Sequence, residues 1–185
     1  RWLSSTSPGR LGSIGKPSVN RKESEKGIGA DAMHVLELKI PPLALGLVMA
    51  ALMWLASWAM PAFGLMFPAR ELFSVSVAIA GIVIIGLGIA SFTRAGTTVN
   101  PMKPDSASAL VVSGIYRLTR NPMYLGFLLV LLGWAMYLSN ALAFLFLPAF
   151  IIYMTRFQIE PEEKALSSLF GQQFVAYTSR VRRWL

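Results

Sequence analysis

The chain has 185 residues, 55% of them hydrophobic and 14% charged, with a mean hydropathy of +0.56; an average soluble domain carries about 25% charged residues. It has no cysteine and one histidine, His34. Disulfides, thiolate metal sites, cysteine nucleophiles and histidine-based triads or zinc centres inside the apolar region are therefore excluded. The net charge of +8 would suit nucleic acid if it formed one patch, but the basic residues lie at the ends of apolar runs, so no nucleic-acid partner is expected.

Residues 1–32 are rich in Ser, Gly, Lys and Arg and lack apolar periodicity, the composition of a disordered tail. The first methionine, Met33, stands just before the ordered pattern, so a native start at or near it is expected, with residues 33–185 forming one membrane domain. The first predicted span runs from Ile40 to Met60, with Pro41-Pro42 in its first turn. The second, Leu72 to Phe92, carries no charge, and Ser76, Ala80, Gly81, Gly86, Gly88 and Ala90 are small enough to let another helix approach closely. At a rise of about 1.5 Å per residue each reaches about 31 Å, enough to cross the hydrocarbon core.

Pro122 to Leu138 and Ala141 to Phe157 follow, joined by Ser139-Asn140. So short a link demands an antiparallel hairpin; the segments are near the short limit for spans, which leaves a re-entrant hairpin as the alternative. Pro148 is expected to kink the second arm. The fold class is all-α, a polytopic membrane protein of about four transmembrane helices. Glu162 to Arg180 has apolar residues at helical spacing, predicting an amphipathic cytoplasmic helix that ends in the basic-aromatic Arg180-Val181-Arg182-Arg183-Trp184.

Seven Lys and Arg precede the first span, four lie between spans two and three, five follow Phe157's neighbour Arg156 inclusive, and Arg70 alone lies on the other side. The positive-inside rule therefore predicts a multi-pass protein with both termini and the 94–121 loop in the cytoplasm.

Two polar clusters converge on that face. Asn121-Pro122 is a helix-start signal, Asn as cap and Pro at the first helical position. Unpaired N–H groups there, beside Arg117 and Arg120, suit a carboxylate or phosphate. Tyr116 and Tyr124 offer aromatic surface for a flat ring, and Gly126 permits close approach. Glu162 and Glu163 bring negative charge to the same boundary, making a bipolar site fit for a zwitterionic ligand. The polar loop Arg94 to Pro101 would cover it. The alternative is that all these residues only anchor helices.

Ser113-Gly114-Ile115-Tyr116, Arg120-Asn121-Pro122-Met123-Tyr124-Leu125-Gly126, Glu162-Glu163, Leu166, Phe170-Gly171 and Tyr177 together resemble the isoprenylcysteine carboxyl methyltransferase family over about residues 90–183. Phospholipid N-methyltransferases share the Arg-Asn-Pro-Met-Tyr form and the paired glutamate. The resemblance implies S-adenosyl-L-methionine as methyl donor, in a cofactor-binding part of about residues 94–183. It places donor contacts on Ser108, Ala109, Leu110, Val111, Tyr116, Asn121, Pro122, Met123, Tyr124 and Glu162. Arg120 joins them as a holder of the donor carboxylate, while Glu163, with Arg156 or Gln158, would face the acceptor as catalytic residues.

Two positions depart from the family pattern. Members often have histidine at the positions of Asn121 and near Ser108. In the eukaryotic members an arginine lies four residues before the first matched glutamate, where this chain has Gln158. Methyl transfer to a lipidic or prenylated substrate reached from the bilayer is the expected activity. Carboxyl O-methylation is favoured because a carboxylate is already ionised at neutral pH, whereas an amine must first lose a proton. Phospholipid N-methylation, a membrane NADPH-dependent reductase and a non-catalytic scaffold remain the alternatives.

Overall fold

A computed structural model describes residues 40–66, 68–96 and 108–185. The expected tail, the start at Met33 and residues 97–101 of the covering loop lie outside the described residues. Within them the protein is an all-α polytopic membrane protein: Pro42–Ala59, Arg70–Arg94 and the stretch Ala141–Phe170 are long and apolar enough to cross a membrane, and Pro122–Leu138 is a shorter apolar helix.

Helix α1 (Pro42–Ala59) starts on a proline, whose missing N–H is no loss in a first turn. Helix α2 (Arg70–Arg94) is longer at both ends than its apolar run, since Glu71 in the first turn and Arg94 in the last complement the helix dipole. Helix α3 (Pro122–Leu138) has the predicted bounds and ends where Ser139 turns left-handed, φ 50°.

α2 and α3 pack antiparallel along glycines. A Cβ added at Gly81 would lie 2.6 Å from the Gly126 carbonyl oxygen, and one at Gly133 would lie 2.7 Å from that of Ser74. One added at Gly88 would meet the Met123 side chain at 2.8 Å. Gly81 and Gly88 are seven residues apart, as are Gly126 and Gly133, so each pair recurs on one face after two turns. In a bilayer, where lipid is as apolar as a leucine, such close backbone approach is what drives two helices together.

The turn after α3 is tied to the loop after α1. Asn140 donates from Nδ2 to the Met60 carbonyl, 3.0 Å, and accepts the Leu142 N–H at 3.0 Å; the Leu65 N–H donates to the Ser139 carbonyl at 2.6 Å. The returning arm comprises α4 (Ala141–Phe144), α5 (Phe146–Met154), a π-helical turn Thr155–Ile159 and α6 (Glu160–Phe170). The break at Leu145 falls before Pro148, which has no N–H to continue the ladder there.

Two expectations are corrected here. The fourth span does not end before the glutamates: helical backbone continues through the wide turn into α6, because Pro161 sits in the first turn after that turn and breaks nothing. The amphipathic helix over 162–180 is two helices, α6 and α7 (Gln172–Thr178), separated at Gly171 with φ 48° and ψ −121°, a conformation that favours glycine. Phe150, Met53, Met154 and Ile159 are fully buried and join α1, α3 and the returning arm in one core.

Candidate functional site

The end of the bundle opposite Asn140 is built from the approach to α3, the first turns of α6 and the chain terminus. Gly114–Arg117 form a single 3₁₀ turn, with φ 62° at Gly114 and the Tyr116 ring edge-on to Phe92 of α2 at 5.4 Å. Tyr116 is buried, and the Tyr177 hydroxyl donates to its carbonyl at 2.8 Å.

Asn121 was expected to cap α3 with its side chain, and it does not. Its Nδ2 donates instead to the Arg183 carbonyl at 3.0 Å. The buried Thr119 hydroxyl donates to the same carbonyl at 3.2 Å and accepts the Asn121 N–H. The Arg120 N–H donates to the Arg182 carbonyl at 3.0 Å. A carbonyl delivered by the returning chain satisfies Asn121 better than the local helix start, so the terminus is clasped onto the Thr119–Asn121 turn. Trp184 extends the clasp by donating to the Thr155 hydroxyl at 3.2 Å.

The two polar clusters meet. The Tyr124 hydroxyl donates to Glu162 Oε1 across 38 residues of sequence. Beside it, Glu163 is gripped by two guanidinium groups. Arg120 lies 3.1 Å from its Oε1, while Arg183 engages both oxygens, from Nη2 at 2.7 Å and Nε at 3.2 Å. Bidentate pairing of this kind fixes orientation as well as charge, and the bond to Glu163 raises the Arg183 pKa further. Burial pushes the Tyr116 phenol up, reinforced by Tyr177 and Glu162; burial takes Tyr177 up to about 12, opposed by Arg120. Both phenols are neutral donors at any ordinary pH.

Arg156 and Gln158, one of which was expected to face the acceptor with Glu163, each have another partner. Arg156 is exposed and paired with Glu160 at 2.7 Å. Glu163 is committed to Arg120 and Arg183, on the same side as the expected donor contacts. Gln158 is fully buried in the π-helical turn and donates from Nε2 to the Ile40 carbonyl at 2.7 Å. Four residues before Glu162, it lies one turn deeper on the same helix face. Among the described residues its Oε1 is buried without a hydrogen-bond partner, as is Arg120 Nε. A buried orphan polar atom costs about 1–3 kcal/mol, and π-helical turns are frequent at functional sites.

Of the remaining expected contacts, Pro122 and Met123 form the first turn of α3, and Ser108 to Val111 lead into the 3₁₀ turn, with Val111 buried and Ser108 exposed. Sequence reasoning missed Thr119, Tyr177 and Arg183 as parts of the site. Arg183 stood in a basic-aromatic terminus that read as the end of a surface helix; only its pairing with Glu163 separates it from Arg180 and Arg182.

A family model described as phospholipid methyltransferase matches residues 69–173, more than half of the chain and all of α2, α3, Glu162 and Glu163. The chain belongs to the phospholipid methyltransferase family. Tyr177 and Arg183 lie beyond the matched stretch. Among relatives, protein-S-isoprenylcysteine O-methyltransferase B of Arabidopsis thaliana is 30% identical over 112 residues, 59% of this chain and 55% of that protein. The protein-S-isoprenylcysteine O-methyltransferase of Saccharomyces cerevisiae is 30% identical over 131 residues, 63% of this chain and 54% of that protein. The chain thus spans about half the length of these named relatives. A protein of Haemophilus influenzae is 48% identical over 63 residues, its whole length and 34% of this chain. No solved structure matches the chain.

Proposed function

We infer that the protein transfers a methyl group from S-adenosyl-L-methionine to a lipidic acceptor, at the cytoplasmic end of the bundle. The observation that carries this reading is the Tyr124–Glu162 hydrogen bond beside the Arg120–Glu163–Arg183 cluster. It puts a carboxylate, a buried guanidinium with an unpartnered Nε and the start of α3 in one place. These groups suit a ligand that carries both an ammonium and a carboxylate. S-adenosylmethionine, when bound, supplies a methyl group activated by a positively charged sulfur.

Arg120 and the start of α3 hold the donor's carboxylate. Glu162, oriented by Tyr124, takes its ammonium or ribose hydroxyls. Glu163 holds Arg120 in position, and the clasp of residues 182–184 on the Thr119–Asn121 turn closes the side of the site and keeps water out. The acceptor approaches from the bilayer, one helical turn deeper, where Gln158 lies.

Carboxyl O-methylation is the first reading of the reaction, supported by the two relatives named as isoprenylcysteine O-methyltransferases. A second reading, N-methylation of an aminophospholipid, is favoured by Gln158. Its free Oε1 accepts hydrogen bonds and gives none, so it suits an N–H or O–H and repels a carboxylate. Calorimetry of the detergent-purified protein with S-adenosylmethionine and its demethylated product tests the donor. Failure of both to bind ends the methyltransferase reading. Labelled donor offered with a prenylcysteine or an aminophospholipid then decides between the two acceptors.

A further inference from the structure

Away from the candidate site, α1 and α2 both lean on α3 and leave a groove between them with a volume of about 660 Å³. That lies within the roughly 300–1,000 Å³ typical of small-ligand sites. Small residues carve it: Gly46 and Ala50 on α1, Ala78 on α2, Gly133 on α3. Two polar groups on its walls are already satisfied. The Ser74 hydroxyl donates to the Arg70 carbonyl and Trp134 Nε1 donates to the Ala50 carbonyl at 3.0 Å. The lining is therefore almost wholly hydrocarbon in character.

Charge enters at one end. Arg70, in the first turn of α2, places its guanidinium 5.9 Å from the centre of the Tyr137 ring, which together with Ser74 closes that end of the groove. It is the only lysine or arginine between the first and second spans. Its neighbour Glu71 is exposed, one position round the helix. Among the described residues, none of those lining the other end, at Leu43, Ile85 and Phe127, is charged. An acceptor for methyl transfer lying here would have to set its polar head at that apolar end to face Tyr124.

The groove runs along roughly 15 Å of α3, from Phe127 to Tyr137, a length that suits an extended hydrocarbon chain.

We propose that this groove binds one acyl chain of an anionic phospholipid, with its phosphate at Arg70, on the face of the membrane opposite the candidate site. The site is independent of methyl transfer. Arg70 selects the charge of the headgroup, and the groove between α1 and α2 holds the chain, so bound lipid braces two helices that otherwise meet mainly through α3.

The test uses the full chain, purified in detergent and stripped of lipid. Thermal unfolding is followed with phosphatidylglycerol and with phosphatidylcholine carrying the same chains. Phosphatidylglycerol is expected to raise the midpoint by about 4 °C more than phosphatidylcholine. Arg70→Gln should erase that difference. Gly46→Leu should remove stabilisation by both lipids; a Cβ at Gly46 first meets Phe127 at 3.9 Å, so the position has room. Leu47→Trp, on an exposed wall of the groove, serves if Gly46→Leu does not fold. Equal stabilisation of the unaltered protein by the two lipids would overturn the proposal, as would a preference for phosphatidylglycerol that survives Arg70→Gln. So would a dimer that Gly46→Leu disperses. Loss of acceptor turnover at saturating donor in Gly46→Leu, with both lipid effects intact, would assign the groove to the acceptor instead.

Discussion

The two ends of the bundle solve the same mechanical problem with different chemistry. At one end the α1–α2 loop is tied to the α3–α4 turn by neutral hydrogen bonds, Asn140 to Met60 and Leu65 to Ser139, and Asn140 also caps α4. At the other, the α3 start, α6 and the terminus are tied through carboxylates, guanidinium groups and buried phenols. Both polar side-chain atoms of Asn140 have partners, whereas among the described residues Arg120 Nε, Gln158 Oε1 and the Tyr153 hydroxyl are buried without one. Stability alone would select satisfied groups, because each orphan subtracts from a small total. We read the Arg120 and Gln158 orphans, at the end of the candidate site, as hydrogen-bonding capacity kept for a ligand.

The sharpest way to break this contrast is Glu162→Gln. The amide still accepts from Tyr124 but can never take on a carboxylate's negative charge, so methyl transfer should fall by about 100-fold or more with little change in the unfolding midpoint. Unimpaired turnover would reduce the polar end to a structural tie like the other. Asn140→Ala gives the converse. It loses the bond to Met60 and the cap of Leu142 and should cost about 2 kcal/mol of stability, read by denaturant unfolding, while turnover per folded molecule stays constant.

Arg183→Met tests whether the clasp serves the site. Glu163 keeps Arg120 but loses its bidentate partner, and donor affinity by calorimetry should weaken by about tenfold, equivalent to about 1.4 kcal/mol. An effect on stability alone would make the clasp a fastening and nothing more.

Tyr177→Phe should have the smallest effect, about 1 kcal/mol from the lost bond to the Tyr116 carbonyl. It also carries a pH signature. The Tyr177 pKa rises from its ordinary 10 to about 12 in the fold, so the folded state holds this proton more tightly. Its contribution is complete below pH 10 and is lost as pH climbs through 12. The slope of stability against pH in that window should be shallower in Tyr177→Phe, with the share due to Tyr116 remaining.

Much of this protein was legible from the chain. Apolar runs of sufficient length must be helical in lipid, because no other backbone arrangement within one segment satisfies its own hydrogen bonds; hence α3 appears with the expected bounds. The glycines of α2 announced a close helix partner, and the short Ser139-Asn140 link required the hairpin that brings Glu162 to Tyr124. These are local or nearest-neighbour properties, set by period, length and residue size.

What the residues did not announce depended on partners far apart in sequence. Asn121 had a good local use as a cap and took a better one 62 residues away. Glu163 was free to face an acceptor until Arg120 and Arg183 closed on it, and Arg156 found Glu160 within its own helix. Helix formation is decided by each segment's own backbone and its solvent. The partner of a charged or amide side chain is decided by competition among all groups that tertiary folding brings within about 3 Å, and only the folded structure shows which one wins.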